Sequence, residues 1–162
     1  MLYRFKAENK GTEKTIMAEE QIDIEQLLRD GYTIQIKPQG YSMYPMFVPD
    51  RDEAVIAPAD GNKLRRGQVV LYRRKNRLLV LHRLWKVRPE GLYMVGDNQT
   101  EVEGPLHQEQ VLGILEAFVR KGRRISVRHP IYRFCSGLWL WMRPMRHRIA
   151  VIIHFLKKMI RK

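Results

Sequence analysis

From Tyr32 to Val127 the apolar residues come in runs too short for stable helices, each closed off by turn-forming or charged residues. Tyr32, Ile34 and Ile36 alternate with Thr33, Gln35 and Lys37, which is the period of a half-buried strand. Further runs follow at Ala54–Ala57, Val69–Tyr72, Leu78–Leu84, Leu92–Val95, Val111–Val119 and Ile125–Val127. Gly, Pro, Asn and charged turns separate them. Such a series predicts a mainly β fold with a coiled, mostly antiparallel, barrel-like sheet, and argues against alternating βα units.

The flanks differ. Ala18–Gly31 carries acids early, apolar residues at 24, 27 and 28, and a stopping glycine, so a short N-terminal helix is expected there. Residues before it are polar and weakly patterned, a loose or partly extended arm. The expected organisation is an arm over 1–17, one β domain over 18–128, and a helical basic tail over 129–162. A chain of 162 residues suffices for one domain with a real core but not for two of ordinary size. Its 44% hydrophobic content excludes a disordered chain.

Charge is concentrated at one end. From Arg120 to Lys162 there are thirteen Lys and Arg and no Asp or Glu, leaving seventeen basic against seventeen acidic residues in 1–119. The tail therefore carries the whole net charge of +13. Ile131, Phe134, Cys135, Leu138, Leu140, Trp141 and Met142, then Ile149–Leu156 beyond Arg143-Pro144, read as two helices broken at the proline. Neither approaches the roughly 18 to 20 uninterrupted apolar residues that cross a bilayer. Two roles stay open: a basic amphipathic segment in the interface of an anionic membrane, or a helix packed on the β body with solvated arginines. Nucleic acid is not expected as a partner, because no recognition-helix, zinc-finger or RNA-binding word accompanies the charge.

Other classes drop out. Cys135, the lone cysteine, reads as a small apolar residue near a helix; no intrachain disulfide can form. The five histidines show no ligand spacing with Cys or acids, so neither a metal nor another cofactor is expected. Met1–Lys14 has no apolar core of a signal peptide, and the expected location is cytoplasmic, at most peripheral at the inner face of the membrane.

The candidate chemistry lies in three words: Gly40-Tyr41-Ser42-Met43-Tyr44-Pro45, Leu81-His82-Arg83 and Gly96-Asp97-Asn98. A serine hydroxyl is a poor nucleophile until an adjacent base activates it, and that base must be oriented by a third group. The strand ending at Ile36 delivers Ser42 into a turn where its hydroxyl can be exposed. Each residue also has a plainer reading: Ser42 as turn punctuation before Pro45, His82 as a satisfied partner of the sheet, Asp97-Asn98 as ordinary turn chemistry.

With Arg66-Gly67-Gln68-Val69-Val70-Leu71-Tyr72 and Tyr93-Met94-Val95 between and before them, these words resemble the successive boxes of the S24/S26 peptidase superfamily, which includes type I signal peptidases and LexA-like repressors. The resemblance runs from about Gly40 to Leu115. His82 falls where most bacterial members have a lysine, so the chain is similar to the Ser/His branch of signal peptidases. The resemblance implies Ser42 as nucleophile, His82 as general base, and Asp97, or second to it Glu103, as the orienting acid. It further implies that Met43, and with it Tyr44, shapes the substrate pocket, and that the substrate is an extended peptide segment cut in trans. The expected function is thus a serine endopeptidase of signal-peptidase-I-like type. The alternative is a non-catalytic membrane-surface or partner-binding module that keeps the fold. A self-cleaving regulator is disfavoured, since its lysine base and DNA-binding half are not found.

Overall fold

The computed structural model describes the backbone of residues 6–9, 12–14 and 23–143, and the side chains of 23–143. Ten strands form one sheet in which every pairing is antiparallel. In chain order they are β1 (Lys6–Asn9), β2 (Thr12–Lys14), β3 (Thr33–Ile36), β4 (Asp52–Pro58), β5 (Val69–Arg73), β6 (Leu79–Arg88), β7 (Gly91–Val95), β8 (Glu103–Leu106), β9 (Val111–Arg120) and β10 (Arg123–Ser126). Two α-helices accompany them, α1 (Ile24–Arg29) and α2 (Pro130–Trp141). The spatial order is β2-β1-β3-β4-β9-β5-β6-β7-β8, with β10 beside β9.

The mainly β, antiparallel character expected from the apolar runs is what the chain adopts. Alternation along β5 shows why some runs are continuously apolar. Val69 and Leu71 join a core with Ile34, Ile56 and Phe118, whereas Val70 and Tyr72 join a second core with Leu84, Leu92 and Met94. A strand covered on both faces has no polar face to display. Register shifts between Val55 and Ile56, Leu71 and Tyr72, and Leu84 and Lys86 bend the strands, which coils the sheet around its two cores.

Within the expected arm, residues 6–9 and 12–14 are extended as β1 and β2 and add to the sheet beyond β3. Two boundaries depart from expectation. Helix α1 begins only at Ile24 because Asp23 caps it, its carboxylate accepting from the amides of Glu25 and Gln26; residues 18–22 of the expected helix lie outside the described residues. Glu103–Leu106, which lies between the expected runs at Leu92–Val95 and Val111–Val119, is strand β8. It ends the sheet order, and an edge tolerates a proline that has no N–H to donate. Of the tail's two expected helices α2 is present, and the second, over 149–156, lies outside the described residues. Among the described residues no helix is long and apolar enough to cross a membrane.

Candidate active site

Ser42 stands in a turn that links β3 to β4, and both ends of that turn are pinned. On one side the amide of Asn98 donates to the Ser42 carbonyl at 2.8 Å. Gly96 lies so close beneath that a Cβ there would come within 2.6 Å of the same oxygen. A side chain at 96 would push the serine turn away, which is the physical reason for glycine at that position. On the other side the buried Asp52 accepts from the amide of Val48 at 2.9 Å and from Arg51 and Arg120. Arg120 also donates to the carbonyl of Met46 at 2.9 Å. Burial works against the Asp52 charge, but the hydrogen bonds from Arg51 and Arg120 prevail and bring its pKa down to about 2.

Ser42 and His82 line the same cleft, of about 490 Å³. His82 comes from β6, opposite Val70 of β5. The Leu79–Arg83 half of β6 pairs with β5, while its pairing with β7 begins only at Arg83. Leu79, Val80 and Leu81 therefore border the cleft with one backbone edge outside the sheet. Lys37, Pro38 and Gln39, leading from β3 to the serine turn, border it too.

His82 is buried, and its Nδ1 lies 3.2 Å from the Tyr72 hydroxyl. That hydroxyl donates to Glu103 Oε2 at 2.7 Å, and Arg74 grips both Glu103 oxygens at 2.7 and 2.6 Å. Proton counting then fixes the histidine. Partial burial would raise the Glu103 pKa, yet its hydrogen bonds from Arg74 and Tyr72 hold it below the ordinary value, so it is an acceptor only. Burial, reinforced by Glu103, pushes the Tyr72 phenol far above the ordinary tyrosine range, so it keeps its single proton. Since Tyr72 gives that proton to Glu103, the contact with His82 is a hydrogen bond only if Nδ1–H donates to the phenol oxygen. The lone pair is then on Nε2, as a general base requires. Burial lowers the His82 pKa to about 4, opposed by the Glu103 charge and aided by Arg74, so the imidazole is neutral at pH 7.

Asp97, the first choice for the orienting acid, is placed otherwise. Both its oxygens are held by Arg83, at 2.8 and 2.7 Å, and both residues are buried. Arg83 also donates to the carbonyl of Gly67 at 2.7 Å and to Ser136 Oγ at 2.5 Å. Glu103, the second choice, is linked to His82 by hydrogen bonds through Tyr72, and the charges of both Glu103 and Asp97 act on the imidazole. Met43 is buried in the first core and lines the cleft, whereas Tyr44 is exposed and is not part of the lining; Tyr41 occupies that role. Tyr72, Arg74 and Arg83 were not anticipated. The signal for Tyr72 was present, because pairing 69–73 with 79–83 as a hairpin puts Tyr72 and His82 on one face as diagonal neighbours.

Among the described residues no group of His, Cys, Asp and Glu is arranged to hold a metal ion. Comparison of the chain with protein-family models, with curated proteins and with solved structures finds no match in any of the three.

Proposed function

We propose that the protein is a serine endopeptidase of signal-peptidase-I-like type, with a S24/S26-like fold, that cleaves peptide bonds in trans. The observation that carries this reading is the shared cleft of Ser42 and His82, with the histidine's far nitrogen engaged by Tyr72 and Glu103. Ser42 Oγ attacks the scissile carbonyl carbon while His82 Nε2 takes its proton. The resulting imidazolium keeps its Nδ1–H on Tyr72, and the Glu103 charge stabilises it without receiving a proton. Collapse of the tetrahedral intermediate breaks the C–N bond, and Nε2–H protonates the leaving amine. Water then attacks the acyl-serine, with His82 again taking a proton and returning it to Ser42.

Two features favour a peptide over a small ester as substrate. The free backbone edge of Leu79–Leu81 offers hydrogen bonds to an added strand, the commonest way to hold an extended chain. The segment 37–39 lines the same cleft, so such a strand would pass it on the way toward Ser42. Backbone N–H groups of the serine turn are the natural oxyanion donors, each worth a few kcal/mol in the transition state.

The test is acylation by a fluorophosphonate probe, compared among wild type, Ser42→Ala and His82→Ala, each shown to be folded by circular dichroism. Labelling of the wild type that both variants lose supports the reading. Equal labelling of all three, or none of the wild type, overturns it in favour of the non-catalytic alternative.

A further inference from the structure

Helix α2 is amphipathic in an inverted sense: its large apolar residues face away from the protein. At 100° per residue, Ile131, Phe134, Leu138 and Trp141 fall within an arc of about 80°. They are 67%, 70%, 44% and 69% exposed. The opposite side is the docked one. There the Tyr132 ring tilts against Phe118 with centroids 5.6 Å apart, Ser136 accepts from Arg83, and Trp139 Nε1 donates to the Asp97 carbonyl at 3.0 Å. Packing on the β body thus uses polar contacts and one aromatic pair, and among the described residues nothing covers the stripe. Four large apolar side chains aligned on one exposed face are more than a soluble surface ordinarily carries, and they mark a site of association.

The surrounding charge selects the partner. No acid occurs from Arg120 to Lys162 against thirteen Lys and Arg. Just past the stripe's end, Arg143 lies 4.9 Å over the Trp85 ring, which Arg66 also covers at 4.5 Å and Lys86 at 5.9 Å. An apolar stripe beside tryptophan and a field of cations is the composition of a helix lying in a lipid interface. Nucleic acid would reward the cations but gain nothing from Ile131, Phe134 and Leu138.

We infer that the outer face of α2 docks on an anionic membrane surface, its apolar stripe entering the headgroup and acyl boundary while the flanking cations meet lipid phosphates and carboxylates. This inference does not depend on the peptidase reading.

The experiment is co-sedimentation of the full chain with vesicles of phosphatidylcholine alone and of phosphatidylcholine with phosphatidylserine. The wild type is expected to pellet with the second and not the first. Phe134→Ser together with Trp141→Ser, both on exposed positions, should lower that binding at least about tenfold. Unchanged binding by this variant overturns the inference, as does equal binding to neutral vesicles or none to either. A dimer seen by analytical ultracentrifugation without lipid, and lost in the variant, would assign the stripe to a second copy of the chain and overturn it too. So would wild-type binding to RNA that the vesicles do not compete away.

Discussion

Two arginine–carboxylate forks stand on either side of the candidate base, and their surroundings give them opposite work. Arg83 and Asp97 are sealed, their side chains 1% and 2% exposed, beneath α2. Arg74 and Glu103, with equally short bonds, are 37% and 27% exposed at the mouth of the cleft. A sealed pair must satisfy nearly every donor locally, and Arg83 does so with Asp97, Gly67 and Ser136. An open pair can share its charge, and Glu103 passes its influence through Tyr72 to His82. The same two functional groups are thus sealed into the fold in one place and joined by hydrogen bonds to the candidate base in the other.

The contrast breaks most strongly at the sealed pair. Arg83→Met strands a buried carboxylate and should cost about 3–5 kcal/mol in urea unfolding, while Arg83→Met with Asp97→Leu should recover most of that loss. If the recovered double variant still acylates Ser42, Asp97 belongs to the scaffold; a well-folded but inert double variant would return it to the base.

Acid is the next largest perturbation. The folded pKa of His82, about 4, lies below the ordinary value near 6.5, so the unfolded chain binds the proton first. Stability is full above pH 6.5 and should fall as pH drops toward 4, by about 3 kcal/mol. A second loss should follow below the ordinary aspartate range as pH approaches 2, where Asp52 protonates. Urea melts across this range check both windows. Glu103→Gln removes the charge that opposes burial, so the first window should extend to lower pH; an unmoved window would deny the link through Tyr72.

Tyr72→Phe takes out the relay alone. It should lower the acylation rate about 10–100-fold, the usual effect of losing a group that orients a histidine by its far nitrogen. Stability should fall about 1–3 kcal/mol from the unpaired buried N–H. An unchanged rate with the same tautomer by histidine ¹⁵N NMR would show that Tyr72 does not hold the base. The smallest effect is expected for Arg74→Ala, at most about 1 kcal/mol and weaker still in high salt, since its pair is partly solvated.

How much of this was legible beforehand follows the range of the interactions involved. Strands β3 to β7, β9 and β10 could be read because apolar period and turn residues are local. Strand β8 could not, since Glu103-Gly104-Pro105-Leu106 is held extended only by its partner β7. Ser42 and His82 could be paired from their neighbouring words, and they line one cleft, but the acid could not be chosen that way. Whether Asp97 or Glu103 faces the histidine depends on Arg83 being buried and on Tyr72 lying across the hairpin, and neither fact is local. The outward stripe of α2 was visible as a period, but its direction was set by Ser136 and Trp139 finding Arg83 and Asp97.

That docking has a consequence in time. Ser136 lies 53 residues beyond Arg83, and Trp139 lies 42 beyond Asp97. A chain emerging from the ribosome therefore presents Ser42 and His82 before the helix that closes over the neighbouring ion pair. Until then Arg83 lacks its contact with Ser136, and the Asp97 carbonyl lacks its contact with Trp139. The ion pair beside His82 is thus sealed only by one of the last segments to be synthesised.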